Sequence, residues 1–102
     1  KLNDRNNYFF FFWGHSLDKS DEDYLNEVFD FVNENKSKLK KIIIIYHSEN
    51  SRSKLLLNIL NVRGKKDIQD LMRSKTLVFM NIDSKELKQE LNRDISNQNI
   101  YV

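Results

Sequence analysis

The 102-residue sequence contains no cysteine, no proline and only two glycines. Without cysteine there are no disulfides, thiol nucleophiles or thiolate metal ligands, a state compatible with a reducing cytosol. Without proline or an internal repeat, nothing marks a linker, and the length is that of one ordinary domain. Long apolar runs are also missing. The longest span residues 8–13 and 42–46, whereas a membrane helix needs about 20 apolar residues. The polar stretch Asn3, Asp4, Arg5, Asn6 and Asn7 does not resemble a signal peptide, so no membrane association is expected.

An excess of one charge is absent too. Seventeen Lys and Arg against fifteen Asp and Glu leave a formal charge of +2, and such a balanced mixture creates no strong field toward nucleic acid. The basic residues are unevenly placed, with Lys36, Lys38, Lys40 and Lys41 at one junction and Arg63, Lys65 and Lys66 at another. Either group also fits the solvated end of a helix.

The order of elements is readable. Tyr8, Phe9, Phe10, Phe11, Phe12 and Trp13 form an unbroken aromatic run closed by Gly14, the pattern of a strand buried on both faces in a parallel sheet. A helix is expected over residues 21–35, with Ser20 as its cap, Leu25, Val28, Phe29 and Val32 as its inner stripe, and Asp21, Glu22 and Asp23 in its first turn. Ile42, Ile43, Ile44, Ile45 and Tyr46 repeat the buried-strand pattern. Strand, helix and strand at this spacing make a right-handed parallel crossover. A helix through Leu55, Leu56, Ile59 and Leu60 follows, then a break at Gly64 and a short helix with Ile68, Leu71 and Met72. Residues 76–80 read as a shorter strand at or near an edge, Leu87 and Leu91 as a last modest helix, and Ile100, Tyr101 and Val102 as a brief strand. The fold class expected is α/β, a three-layer Rossmann-like unit with a small, mainly parallel sheet and flanking helices. Residues 1–102 read as a single α/β domain or as the carboxyl-terminal fragment of a larger one. No Met opens the sequence and a hydrophobic strand begins almost at once, which suggests a missing amino-terminal portion that supplies a strand beside the first.

The parallel crossover brings two polar loops to the carboxyl ends of neighbouring strands, where open α/β sheets place ligands. The first is Gly14, His15, Ser16, Leu17, Asp18, Lys19, Ser20 and Asp21. Gly14 permits a sharp turn or a close backbone approach. Ser16 can donate and accept, Asp18 and Asp21 can accept from sugar hydroxyls or hold a cation, and His15 can titrate near neutrality. The same residues also suit a purely structural turn, with Gly14 ending the strand, Leu17 plugging the base of the crossover and Asp18 accepting backbone N–H groups. A glycine-rich phosphate cradle is not expected, since the loop has one glycine and the helix after it opens with three acids. A ribose, or a polyphosphate bridged by a metal, fits better.

His47, with Ser48 and Glu49, forms the second loop. His15, His47 and Asp18 are the candidate catalytic residues. The two histidines with Asp18 or Glu49 lack metal-ligand spacing, so no metal site is assigned. A Ser16, His47 and Asp18 triad is weaker still, because Gly-His-Ser-Leu-Asp puts Asp18 where a nucleophile elbow has its last glycine.

Residues 12–21, with Tyr24 and Leu25 after them and then Ile45, Tyr46, His47 and Ser48, resemble the carboxyl-terminal part of the bacteriophage abortive-infection AbiH family. The resemblance extends in order and spacing over most of residues 8–82, and its specific part is the Gly-His-Ser-Leu-Asp loop. It implies a cytoplasmic bacterial protein of antiviral defence, several times longer than this sequence. The loop is also distantly similar to the Gly-x-Ser segment of sirtuin-like NAD-binding domains. That similarity implies Gly14 and Ser16 as the nucleotide-facing pair and His15 as their neighbour, with Asp18 and Asp21 holding the loop or contacting a sugar. The cofactor implied is NAD or another nucleotide. The sirtuin glycine-rich fingerprint, catalytic-histidine region and zinc cysteines have no counterpart in the sequence.

Three functions follow as expectations. The leading one is the carboxyl-terminal part of a phage-defence protein, contributing Gly14, Ser16, Asp18, Asp21 and His47 to a nucleotide or NAD site completed by the missing amino-terminal portion. The second is a nucleic-acid-binding or metal-dependent nuclease component, with the two lysine and arginine groups guiding phosphates. The third is a structural or interaction module in which the loop only organises the crossover.

Overall fold

The computed structural model describes residues 7–14, 16–34, 39–92 and 97–101. His15, Lys36, Lys38 and Val102 lie outside the described residues. Among the described residues four strands, β1 (Asn7–Phe12), β2 (Lys40–Tyr46), β3 (Leu77–Asn81) and β4 (Asn97–Tyr101), are interspersed with helices α1 (Glu22–Glu34), α2 (Glu49–Arg63), α3 (Lys65–Arg73) and α4 (Lys85–Leu91). They form one sheet in the order β3-β2-β1-β4, with every neighbouring pair parallel. Phe10 is the register partner of both Ile42 and Ile100, and Ile44 that of Phe79. The protein is a small Rossmann-like α/β unit.

The unbroken apolar runs arise because both faces of the central strands are covered. Tyr8, Phe10, Phe12, Ile42 and Ile44 pack with Leu25, Phe29, Ile59, Ile68 and Leu71 from α1, α2 and α3. Phe9, Phe11, Ile43 and Ile45 pack on the other face with Leu87 of α4. Successive residues of a strand therefore enter different cores. The chain steps outward from β1 to β2 to β3 with its helices on one face, then returns through α4 on the other face to β4, beyond β1. Right-handed crossovers dictate this change of face when the direction of travel reverses.

Three details differ from the sequence reading. The strand on the far side of β1 comes from the tail of this same chain, as β4. The third strand, expected over residues 76–80, is shifted by one residue to Leu77–Asn81, and it stands at an edge of the sheet as expected. Ser20 does not cap α1. A short 3-10 turn, Lys19–Asp21, precedes that helix, and Asp18 caps the turn by accepting from the Ser20 N–H at 3.0 Å. The Ser20 hydroxyl donates to the same carboxylate at 2.6 Å, so it serves Asp18 instead of the helix backbone. Gly64, at φ +90°, ends α2 and starts α3, as the break expected there requires. Among the described residues no helix is long and apolar enough to cross a membrane.

Candidate functional site at the carboxyl rim of the sheet

β1 delivers its loop at the carboxyl rim, where Gly14 turns the backbone with φ +76°. A Cβ built on Gly14 would meet nothing within 4 Å, so the turn, and not crowding inside the protein, calls for glycine there. Leu17 follows in a left-handed conformation at φ +60° with its side chain fully buried, and it plugs the base of the crossover. Its N–H donates to Asp21 Oδ2 at 2.9 Å, and the Ser16 hydroxyl donates to the same oxygen at 3.3 Å. Asp21 thus closes the loop on itself.

Asp18 is solvent-facing and its carboxyl is held below the usual carboxylate range. The Ser20 hydroxyl is the main cause, followed by the Ser20 N–H. It is therefore ionised at neutral pH.

The second loop leaves β2 at the same rim. Ser48 caps α2 by accepting from the Ser51 N–H at 3.1 Å, and the Ser51 hydroxyl accepts from the Ser48 N–H at 3.1 Å. Serine here takes the reciprocal role that glutamate has in the usual capping box. The Ser51 hydroxyl also donates to the Ser48 carbonyl at 2.8 Å, so its proton is already committed. The two loops are joined through α2, because the Asn58 side-chain amide donates to the Ser16 carbonyl at 2.8 Å.

Between them lies a cavity of about 470 Å³, within the size range of small-molecule sites. Trp13, Gly14, Ser16 and Asp18 line it from the β1 side, and Ile45, Tyr46 and His47 from the end of β2. Ser51, Lys54, Leu55 and Asn58, at helical spacing, form the α2 wall, and Ile82 reaches it from beyond β3. A smaller polar hollow of about 230 Å³ adjoins it and shares Asp18 and Asn58. The lining is mixed, with an indole, a phenol, aliphatic side chains, one carboxylate, one ammonium and several neutral polar groups.

Of the residues singled out in the sequence, Gly14, Ser16, Asp18 and His47 share this cavity. Asp21 does not line it; its contact with the Leu17 N–H gives it the loop-holding role. His15 is outside the described residues. The Ser16 hydroxyl donates to Asp21 and not to His47, so a Ser16, His47 and Asp18 relay is not assembled. Among the described residues no three His, Cys, Asp or Glu side chains come together as metal ligands. Trp13, Lys54, Asn58 and Ser51 were not singled out as site residues. The readable signal for the last three is the polar line 51, 54, 58 along α2, one helical face continuing from His47.

The lysine and arginine groups lie elsewhere. Lys40 and Lys41 open β2, at the amino rim of the sheet. Lys40 is buried, with its ammonium 5.7 Å from the Phe31 ring centre, and Lys41 pairs with Glu90 at 3.8 Å. Arg63 contacts Asp30 and Asp67, both at 2.9 Å, and Lys66 contacts Asp70 at 2.9 Å. Carboxylates thus already engage three of these cations, Lys41, Arg63 and Lys66, and these three do not line the cavity.

Fold and cavity together define a parallel α/β unit with a ligand-sized hollow at its carboxyl rim. No protein-family model matches the chain, and neither a curated protein nor a solved structure shows significant similarity to it.

Proposed function

We propose that this chain binds a nucleotide, with NAD among the candidates, in the cavity at the carboxyl rim, as part of a cytoplasmic bacterial phage-defence protein of the abortive-infection kind. The observation that carries the reading is the convergence of Gly14, Ser16 and Asp18 from one loop with His47 from the next on a single cavity of about 470 Å³. Crevices outside the carboxyl ends of parallel strands are the usual ligand sites of such sheets. An ionised Asp18 accepts hydrogen bonds from ribose hydroxyls, and Trp13 with Tyr46 offers apolar surface to a base. The defence role draws on the resemblance of the Gly-His-Ser-Leu-Asp loop to the AbiH family.

Calorimetric titration with NAD and with nucleoside mono- and triphosphates tests the reading. Binding is expected for at least one of them, weakened about tenfold or more in Ser16→Ala and Asp18→Ala. Asp18→Asn keeps an acceptor for Ser20 and separates loss of charge from loss of loop structure. Equal binding by the wild type and all three variants overturns the assignment.

A further inference from the structure

We propose that the ligand is a nucleoside carrying a single phosphate, with the phosphate held by Lys54 and the base laid against Trp13. This rests on the nucleotide reading of the cavity and adds the class of nucleotide and the end at which each part binds.

Lys54 is exposed and is the one lysine or arginine among the described residues of the cavity lining. Lys19, Lys41, Arg63, Lys66 and Arg73 each have a carboxylate within 4.0 Å; Lys54 has none among the described residues. It stands on the cavity side of α2, between Ser51 and Asn58, whose polar groups are engaged with the backbone of the two loops. Its ammonium, the charged donor of that wall, has no carboxylate partner among the described residues.

The opposite choice, an anion at the start of α1, is blocked. Asp21 in the 3-10 turn and Glu22 and Asp23 in the first turn of α1 put negative charge where that helix would otherwise attract a phosphate. An anion entering the cavity is therefore drawn to the α2 wall.

Charge also limits how many phosphates follow. Asp18 is ionised and shares the cavity with Lys54, so among the described residues the lining carries one carboxylate beside one ammonium. A triphosphate would bring several charges to a single ammonium and meet Asp18 as well. A single phosphate leaves Asp18 to accept from the ribose hydroxyls. Trp13 supplies the remaining surface. It is 47% exposed although it directly follows a run of fully buried aromatic residues, and a base stacked on the indole removes that apolar area from water.

The test is calorimetric titration of the wild-type chain with AMP, GMP, CMP and UMP, with the matching nucleosides, and with ATP. At least one monophosphate is expected to bind about tenfold or more tightly than its nucleoside. Lys54→Ala, on an exposed helical position where alanine is well tolerated, should bring that affinity down to the nucleoside's, and Lys54→Arg should restore most of it. Trp13→Ala should weaken nucleoside and monophosphate by the same factor. Equal affinity for nucleoside and monophosphate, or a Lys54→Ala loss common to both, overturns the Lys54 assignment while the nucleotide site stands. Tighter binding of ATP than of AMP overturns the single-phosphate preference. Binding of none of these probes, nor of NAD titrated beside them, overturns the nucleotide reading, and this inference with it.

Discussion

Leu17 combines two demands that oppose each other. Its side chain is fully buried beneath the loop, while its backbone holds a left-handed conformation at φ +60° that costs a non-glycine residue about 1–2 kcal/mol. Burying a leucine outweighs that cost, provided something fixes the peptide, and the Asp21 carboxylate does so through the Leu17 N–H. Asp21→Ala should therefore lower stability by about 1–2 kcal/mol, seen as a lower urea midpoint with unchanged slope. No change would mean that packing alone sets the turn. Asp18 behaves differently because it is fully solvent-facing. Its pKa is lowered chiefly by the Ser20 hydroxyl and N–H, so the folded loop is favoured while Asp18 is ionised. That contribution is fully present above the ordinary carboxylate range and is lost as pH falls below it, through the lowered value. Ser20→Ala should move the Asp18 titration, followed by carboxyl NMR shifts, upward toward the ordinary value. An unmoved titration would show that the Ser20 hydroxyl does not set it.

The three helices of the first face are fastened by one arginine. From the last residue of α2, Arg63 reaches Asn26 and Asp30 on α1 and Asp67 on α3, each at 2.9 Å, and lies 5.4 Å from the Phe29 ring centre. Burial works against its charge, but the hydrogen bonds to Asp67 and Asp30 outweigh that and push its pKa up. Arg63→Ala should cost about 2–4 kcal/mol in chemical denaturation, since a mostly buried guanidinium leaves Asp67 and Asn26 without it. Arg63→Lys should recover little, because an ammonium cannot reproduce the planar fork. Full recovery by lysine would reduce the brace to simple charge. Arg63 also marks where local reading stops. In sequence it belongs with Lys65 and Lys66 to a basic patch, and only the fold brings up acceptors 33 and 37 residues away. β1 and β2 were legible for the opposite reason, since burial on both faces leaves an unbroken apolar run in the sequence itself. The start of α1 fell between these cases. Ser20 has the chemistry of a cap, but Asp18 two residues earlier recruits both its hydroxyl and its N–H.

At the scale of the molecule, topology decides where a ligand can sit. The parallel crossover from β1 to β2 already implied that the Gly14 and His47 loops share a rim, and this much of the site was legible in the sequence. The α2 wall was not, because the rotation of that helix depends on Ile59 entering the core, and Lys54 looks like any exposed lysine until that rotation is known. The reversal of the chain path falls between β1 and β4, on the other side of β1 from the cavity's α2 wall, so the Asn58 clamp and the α2 wall, more than the reversal, shape this hollow. The return path has its own consequence. Among the described residues β4 is an edge strand paired with β1 alone, and α4, the element leading to it, buries Leu87 at 1% exposure among Phe9, Phe11, Ile43 and Ile45. Leu87→Ala should cost about 2–5 kcal/mol, and α4 with β4 should open as a unit. Amide exchange followed by NMR should then quicken most in the β1 and β4 pairing, while the β2 and β3 amides retain more of their protection. Equal acceleration across all four strands would show that the return path unfolds only with the whole sheet.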